Sequence, residues 1–404
     1  MRREYIILRR ASVPRGTRDI LEGVGLGARR GIEPPPALEF EHMAIQDAQD
    51  MARAPEVQAV VPAIPLKLIR PMAREADAPA LDPGTGSWGV SAVGAIDTPY
   101  TGKGVKVAVL DTGIDKNHAA FQGVELTEVD FTGEGNGDRD GHGTHCAATI
   151  FGRDVGGARI GVARGVSQAF IGKVIGTEGG STASLLRAIH AAADAGCQIM
   201  SMSLGFDFPG AAARLQEQGF PPDLATAVAL ADYRANVRLF DRLGELIQAE
   251  SLQGHRELLL FAASGNESKR NIDARYEMPA APPSEAAGFT SVGALGRGPE
   301  GKLCVASFSN VGCNVCAPGV DIISARAGTT NGLVAFSGTS MATPHAAGVA
   351  ALHLEKENAQ PPPSGFLRFR PGVLFRILGS ASLQLLAPGV TAAQAGLGLI
   401  RAPT

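Results

Sequence analysis

Between residues 105 and 295, runs of consecutive apolar residues recur with helical patterns between them, and this alternation constrains the fold more than any other feature. The runs are VKVAVLD, AFIGKVI, QIMSMSLG, ELLLFAASG and SVGAL, with GTHCAATI and LLRAIHAAADAG among them. A strand that is apolar at nearly every position has no polar face to offer water, so it belongs in a sheet covered on both sides. Strands joined through helices run parallel, which predicts an α/β fold with an open, mostly parallel central sheet and helices on both faces. In such sheets ligands bind beyond the carboxyl ends of the strands, so chemistry is expected there.

Composition closes off other classes. The chain has 404 residues, 45% of them hydrophobic and 19% charged, enough apolar material for a large core. Its 37 Lys and Arg nearly balance 40 Asp and Glu, for a net charge of -3. No overall field draws it to nucleic acid or an anionic membrane, and neither is expected as a partner. No stretch approaches the roughly 18 apolar residues of a membrane span. The apolar run Tyr5 to Leu8 falls short of the about 7–15 residues of a signal-peptide core, so a cytoplasmic location is expected. Five scattered cysteines, an odd number, argue against a disulfide framework.

The texture divides the chain. Residues 1–73 alternate short apolar runs with a helical stretch near LEFEHMAIQDAQDMAR, suggesting a small α+β domain. Residues 74–87 lose large apolar side chains and gain Pro, Gly and acids, the composition of a linker. Residues 88–404 carry the strand and helix alternation, interrupted at about 208–255 by a segment with apolar residues at helical spacing, read as a long helix and a loop.

Three segments place chemistry where the fold predicts it. In VKVAVLDTGID a strand delivers Asp111 to its carboxyl end. In DGHGTHCAATI, His142 stands between glycines at a helix start, better placed to project into a cleft than His145. In FSGTSMATPHAAGVAALHLE, Ser340 opens a long helix with Pro344 read in its first turn, which aims the hydroxyl outward. Alone, the Asp is a turn residue and the Ser a helix cap. Two histidines without further ligands are weak evidence for a metal, and a metal site stays unassigned.

Together, VAVLDTGID, GHGTH and SGTSMATPH, in the order Asp, His, Ser, resemble the subtilisin-like serine proteases from about Trp88 to Arg401. The resemblance implies that Ser340 is the nucleophile, His142 its general base and Asp111 the residue that orients the imidazole. It makes Asn266, in AASGNES, the side-chain donor of an oxyanion hole shared with the Ser340 backbone N–H. It implies that an extended peptide pairs with two edges, Gly179, Gly180 and Ser181 on one side and Ser203, Leu204 and Gly205 on the other. Residues 203–206 and 263–266 would wall the pocket for the residue before the cut, among them Phe206, Ser264 and Gly265, with Phe206 where the family more often has a small residue. Cys146, Cys313 and Cys316 read as packing residues.

The same resemblance extends weakly to DAQDMARAPEVQAVVPAIPLKLI, which looks like the end of a subtilase propeptide. It implies that the N-terminal domain is an intramolecular inhibitor or folding aid, released by a cut between Arg74 and Ser87. The expected activity is that of a serine endopeptidase acting on protein or peptide substrates. The competing readings are a peptide transferase or macrocyclase on the same scaffold, and a noncatalytic peptide-binding module. No cofactor is required for the chemistry. Structural calcium is compatible with the family, with Glu134, Asp138 and Asp140 of the 125–140 loop as oxygen donors.

Overall fold

The computed structural model describes residues 2–9, 37–72, 76–77, 86–252, 258–359 and 372–404. Contacts divide the chain into two compact units, Met1–Ile64 with Phe208–Arg242, and Pro65–Asp207 with Leu243–Thr404. The division read from composition, 1–73, 74–87 and 88–404, is a different one, because contacts join stretches that lie far apart in sequence.

The larger unit is built on an eight-stranded sheet. Its strand order is Leu303–Val305, Phe289–Arg297, Leu259–Ala263, Ile199–Met202, Lys106–Asp111, Gln168–Lys173, Glu125–Asp130, with Val315–Pro318 also paired to Phe289–Arg297. Every pair is parallel except that of Leu303–Val305 with Phe289–Arg297. The four strands predicted from VKVAVLD, QIMSMSLG, ELLLFAASG and SVGAL are adjacent, and their centres are buried. The fold class is therefore α/β with a mostly parallel sheet.

Helices His142–Phe151 and Thr339–Ala359 lie in the same apolar cluster as these strands. All ten residues of the first are buried, as is the second through Leu352. A helix buried on all sides needs no polar stripe, which explains why TSMATPHAAGVAALHL shows none. Its small residues permit close approach: a Cβ on Gly348 would come within 2.6 Å of the Val162 side chain.

The smaller unit holds a three-stranded antiparallel sheet, Ala37–Ala44, Arg2–Arg9 and Val57–Pro62, with Arg2–Arg9 central. Helix Ile45–Met51 covers a small core of Tyr5, Ile7, Met43, Ala48 and Val57. The stretch read as one helix from Leu38 is thus a strand followed by a helix. Leu38 and Phe40 alternate with Glu39 and Glu41, a period of two that suits the antiparallel partner Arg2–Arg9.

The insertion contributes helix Phe208–Glu217 and the start of helix Pro222–Leu252, packed through Ala211, Leu215, Ala225 and Ala229. It is tied to the N-terminal sheet of the same unit. Arg3 pairs with Asp232 at 2.5 Å, and the buried Asn236 side chain donates to the Pro62 carbonyl at 2.8 Å. Among the described residues no helix is long and apolar enough to cross a membrane.

Candidate active site

Asp111 ends the strand Lys106–Asp111, and His142 begins the helix His142–Phe151. Their side chains meet, His142 Nδ1 lying 2.7 Å from Asp111 Oδ1 with both side chains 1% exposed. The Thr112 N–H also donates to Asp111 Oδ1, at 2.8 Å. The strand end and the helix start approach so closely that a Cβ on Gly143 would fall 2.2 Å from the Gly113 carbonyl oxygen, so only glycine fits there.

Asp138 fastens the two pieces. One of its oxygens accepts from Thr112 Oγ1, Asp140 N and Gly141 N, and the other from Thr144 N and Thr144 Oγ1. A carboxylate at a helix start also meets the positive end of the helix dipole. Burial of the His142 ring opposes its charge, but Asp111 and, after it, Cys146, both buried beside the ring, together raise the imidazole pKa well above its usual 6.5. His142 Nε2 is buried and has no hydrogen-bond partner among the described residues.

Ser340 is the second residue of helix Thr339–Ala359 and is fully buried. Pro344 is the sixth residue, not in the first turn. It therefore removes the N–H that would have bonded Ser340 O across one helical turn. Two side chains take its place on that carbonyl, Ser203 Oγ at 3.2 Å and Cys146 Sγ at 3.4 Å. Cys146 thus packs beneath the pair, its sulfur 3.8 Å from His142 Nδ1, and burial raises its thiol pKa.

Asn266 follows the strand Leu259–Ala263 and faces Thr339, whose N–H and Oγ1 each donate to Asn266 Oδ1 at 2.9 Å. The Asn266 amide is left to point the other way and donates to the Arg70 carbonyl at 2.9 Å.

A stretch of the chain itself lies at this site. Pro65–Leu68 forms the middle strand of an antiparallel sheet between Gly180–Ser181 and Leu204–Phe206, with Leu66 opposite Gly180 and Lys67 opposite Gly205. The Ile69 N–H donates to Ser203 O, and the Ile69 carbonyl accepts from Ser340 Oγ at 2.7 Å. The Ile69 side chain is buried, 3.8 Å from where a Cβ on Gly205 would stand. Farther on, Met72 N donates to Ser337 O. Lys67 and Arg70 face Glu267 and Asp140 at 3.4 and 3.2 Å.

Of the expected residues, Ser340 and Asn266 each bond a carbonyl of this segment, Asp111 and His142 bond each other, and the two expected edges hold the segment from both sides. Gly179, with φ +88°, turns the chain just before its edge. Phe206 pairs with Leu66 across the sheet. Ser264 and Gly265 form the turn before Asn266, Gly265 with φ +113°. His145 stays apart, its Nε2 2.9 Å from the Ile322 carbonyl and its ring stacked on Phe336. The expected cut at 74–87 lies largely outside the described residues, and the segment facing Ser340 is Ile69–Arg70 instead.

Among the described residues, Asp111, His142 and Cys146 each bring a donor atom within 4.8 Å of the others. Asp111 and His142 spend theirs on each other, so the cluster reads as an acid–base pair over a thiol. The three acids named with calcium each have protein partners in this arrangement. Asp138 accepts five N–H and O–H bonds, Glu134 is held by Thr177 and Lys173, and Asp140 faces Arg70.

Sequence reasoning expected residues 1–73 to cover the cleft but did not single out 65–72 as the stretch that lies in it. It also missed the anchoring residues Thr112, Thr144 and Thr339. The apolar pattern at Leu66, Leu68 and Ile69 was a signal for the first. The second group carried none, since a Thr in a loop or at a helix start has many uses.

Comparison with known proteins gives a consistent result. Residues 102–366 match the model of the peptidase S8 family, described as the subtilase family. The chain is 32% identical over 288 residues to a protein named subtilisin-like protease 6 from Trichophyton rubrum, covering 66% of this chain and 57% of that protein. It is 31% identical over 326 residues to subtilisin-like protease 1 of Arthroderma gypseum, covering 75% of this chain and 54% of that one. The chain thus spans about half the length of the curated relatives it matches.

Proposed function

Because the chain belongs to the subtilase family, we propose that it is a serine endopeptidase whose first occupant is its own residues 65–72. The observation that carries this reading is the 2.7 Å contact of Ser340 Oγ with a peptide carbonyl on a strand held at both edges.

Each group has a derivable task. A serine hydroxyl is a weak nucleophile, so it needs a base that takes its proton as it attacks. His142 carries its free Nε2 on the side opposite Asp111, and that nitrogen receives the proton and later passes it to the leaving amine. Asp111 fixes the tautomer that leaves Nε2 unprotonated and stabilises the cation that follows. The Asn266 amide, anchored through its oxygen to Thr339, offers its N–H groups to the oxyanion. The Ser340 backbone N–H is the second donor.

The nucleophile and the Asn266 amide face consecutive carbonyls, Ile69 and Arg70. Attack requires both on one carbonyl, so this pose holds the segment in place without completing the oxyanion site. That is how an inhibitory segment behaves. We assign to Met1–Ile64 the role of the domain that presents this segment, and to Ile69–Arg70 the first bond cut, since the Ile69 N–H is the one bonded to Ser203 and the following bond, Arg70–Pro71, is a tertiary amide.

The test is the intact mass of the wild type beside Ser340→Ala, with fluorophosphonate labelling of both. A wild type that labels and shortens to a chain beginning at Arg70, beside an unlabelled, full-length Ser340→Ala, supports both parts. Labelling without shortening removes the self-cleavage part. A wild type that neither labels nor cleaves a peptide overturns the endopeptidase reading.

A further inference from the structure

Asn310 lies far in sequence from every residue assigned above, yet its polar atoms are spent almost wholly on the turn that carries Asn266. It is 1% exposed. Its Oδ1 accepts from Glu267 N at 3.0 Å, Ser268 N at 3.0 Å and Ser268 Oγ at 3.3 Å. Its Nδ2 donates to the Ser264 carbonyl at 3.2 Å and to Glu267 Oε2 at 2.8 Å. Its backbone N–H donates to the Gly265 carbonyl at 3.0 Å. One side chain and its own N–H therefore grip residues 264, 265, 267 and 268, both sides of Asn266, without touching Asn266.

The turn is shaped to receive it. Gly265 has φ +113°, and a Cβ there would stand 2.3 Å from Asn310 Nδ2. The glycine before Asn266 thus serves the close approach of Asn310 as well as the turn. Asn310 is itself fixed from the sheet side. Ser309 Oγ accepts from the N–H of Ala294 in strand Phe289–Arg297, and Val311 N donates to Met278 O.

We propose that Asn310 is the positioning residue of the oxyanion site, holding the 264–268 turn so that the Asn266 amide faces the peptide carbonyl. The proposal rests on the endopeptidase reading above. Thr339 restrains the Asn266 side chain from one end, and Asn310 restrains its backbone from the other. An amide displaced by a fraction of an ångström loses its transition-state hydrogen bond while substrate binding along the two edge strands is unaffected, so the effect belongs in kcat.

The test is a double-mutant cycle on the full chain, with kcat and KM for a peptide substrate and folded enzyme counted by active-site titration. Asn310→Ala is expected to lower kcat by about 10–100-fold with KM within about twofold. In an Asn266→Ala background the same change is expected to cost less than about threefold, because there is no amide left to misplace. A loss that persists in full in that background, or an unchanged kcat, overturns the proposal.

Where Asn310→Ala does not fold, Asn310→Asp serves. It keeps the acceptor but sets a carboxylate against Glu267 and takes the donor from the Ser264 carbonyl, so kcat falls, and adding Glu267→Gln restores part of it because the introduced amide donates to the introduced carboxylate. Failure of that rescue also overturns the proposal. Ser340→Ala, run alongside, separates the two readings. If it cleaves as well as wild type, the endopeptidase reading fails and this one falls with it. If it is inactive while the Asn310 loss is independent of Asn266, this proposal alone fails.

Discussion

The two halves of the site are held by the same device in different chemical forms. Asp138 gathers five donors from the Asp111 strand end and the His142 helix start, and Asn310 gathers three donors and gives two from the turn around Asn266. The first is a partly exposed carboxylate, the second a buried neutral amide. The strand end and helix start offer N–H groups, two threonine hydroxyls and a positive dipole end, all donors that an anion satisfies. The Asn266 turn offers N–H groups, a carbonyl and a carboxylate, and only an amide can answer all of them. The difference also keeps a second negative charge away from the place where an oxyanion forms.

Removing the reacting groups should separate the halves most widely. On the endopeptidase reading, His142→Ala lowers kcat by a factor on the order of 10⁶, and Asn266→Ala by only about 10²–10³, magnitudes that come from subtilisin itself. Steady-state kinetics on titrated enzyme checks this. Equal losses would mean that the Asn266 amide does more than donate to an oxyanion, or that His142 is not the base.

pH sharpens the comparison because only one half titrates. His142 is held well above 6.5 by Asp111, and catalysis needs the neutral ring. Activity should therefore rise with pH through a value above 6.5, and Asp111→Asn should move that limb to lower pH. The stability that His142 contributes has the opposite sense, present below its unfolded pKa and lost as pH rises through the folded one. His145 and His345 are buried neutral, burial lowering their pKa values to about 3 and about 4. Their contribution is present above pH 6.5 and is lost as pH falls from there toward 4. Thermal melting across pH 4–7 should show that decline, and a flat profile would contradict it.

The smallest effect is expected from the charged anchor. Asp138→Ala strands five donors near the surface, where water replaces part of what is lost, and should lower the unfolding free energy by roughly 1–3 kcal/mol. Denaturant midpoints measure it. Here the loss should appear in stability, whereas Asn310→Ala should show a larger fall in kcat. An Asp138→Ala protein of wild-type stability would break the parallel between the anchors.

Much of the site was readable in sequence because each part is local. A carboxylate at the end of an apolar strand, a histidine between glycines at a helix start and a serine opening an apolar helix each announce themselves within about ten residues. Pro344 was visible too, but its consequence was not. Only the fold shows that the carbonyl it leaves free is taken up by Ser203 and Cys146, from two other elements. The strand Ala37–Ala44 was misread as helix because its partner, Arg2–Arg9, lies about thirty residues away, and pairing overrides local preference.

The sequence alone determined the α/β class and the alternation of buried strands and helices, and marked Asp111, His142, Asn266 and Ser340 as candidates, because hydrophobic period and motif spacing act over short stretches. The tertiary structure decided what the side chains do together. It set Ile69 at Ser340, joined the 208–242 insertion to the N-terminal sheet, turned the acidic loop residue Asp138 into an anchor, and brought Asn310 against a turn some forty residues earlier. Those pairings are fixed by which surfaces close on one another when the core forms, and a contact between distant residues leaves no period in the chain.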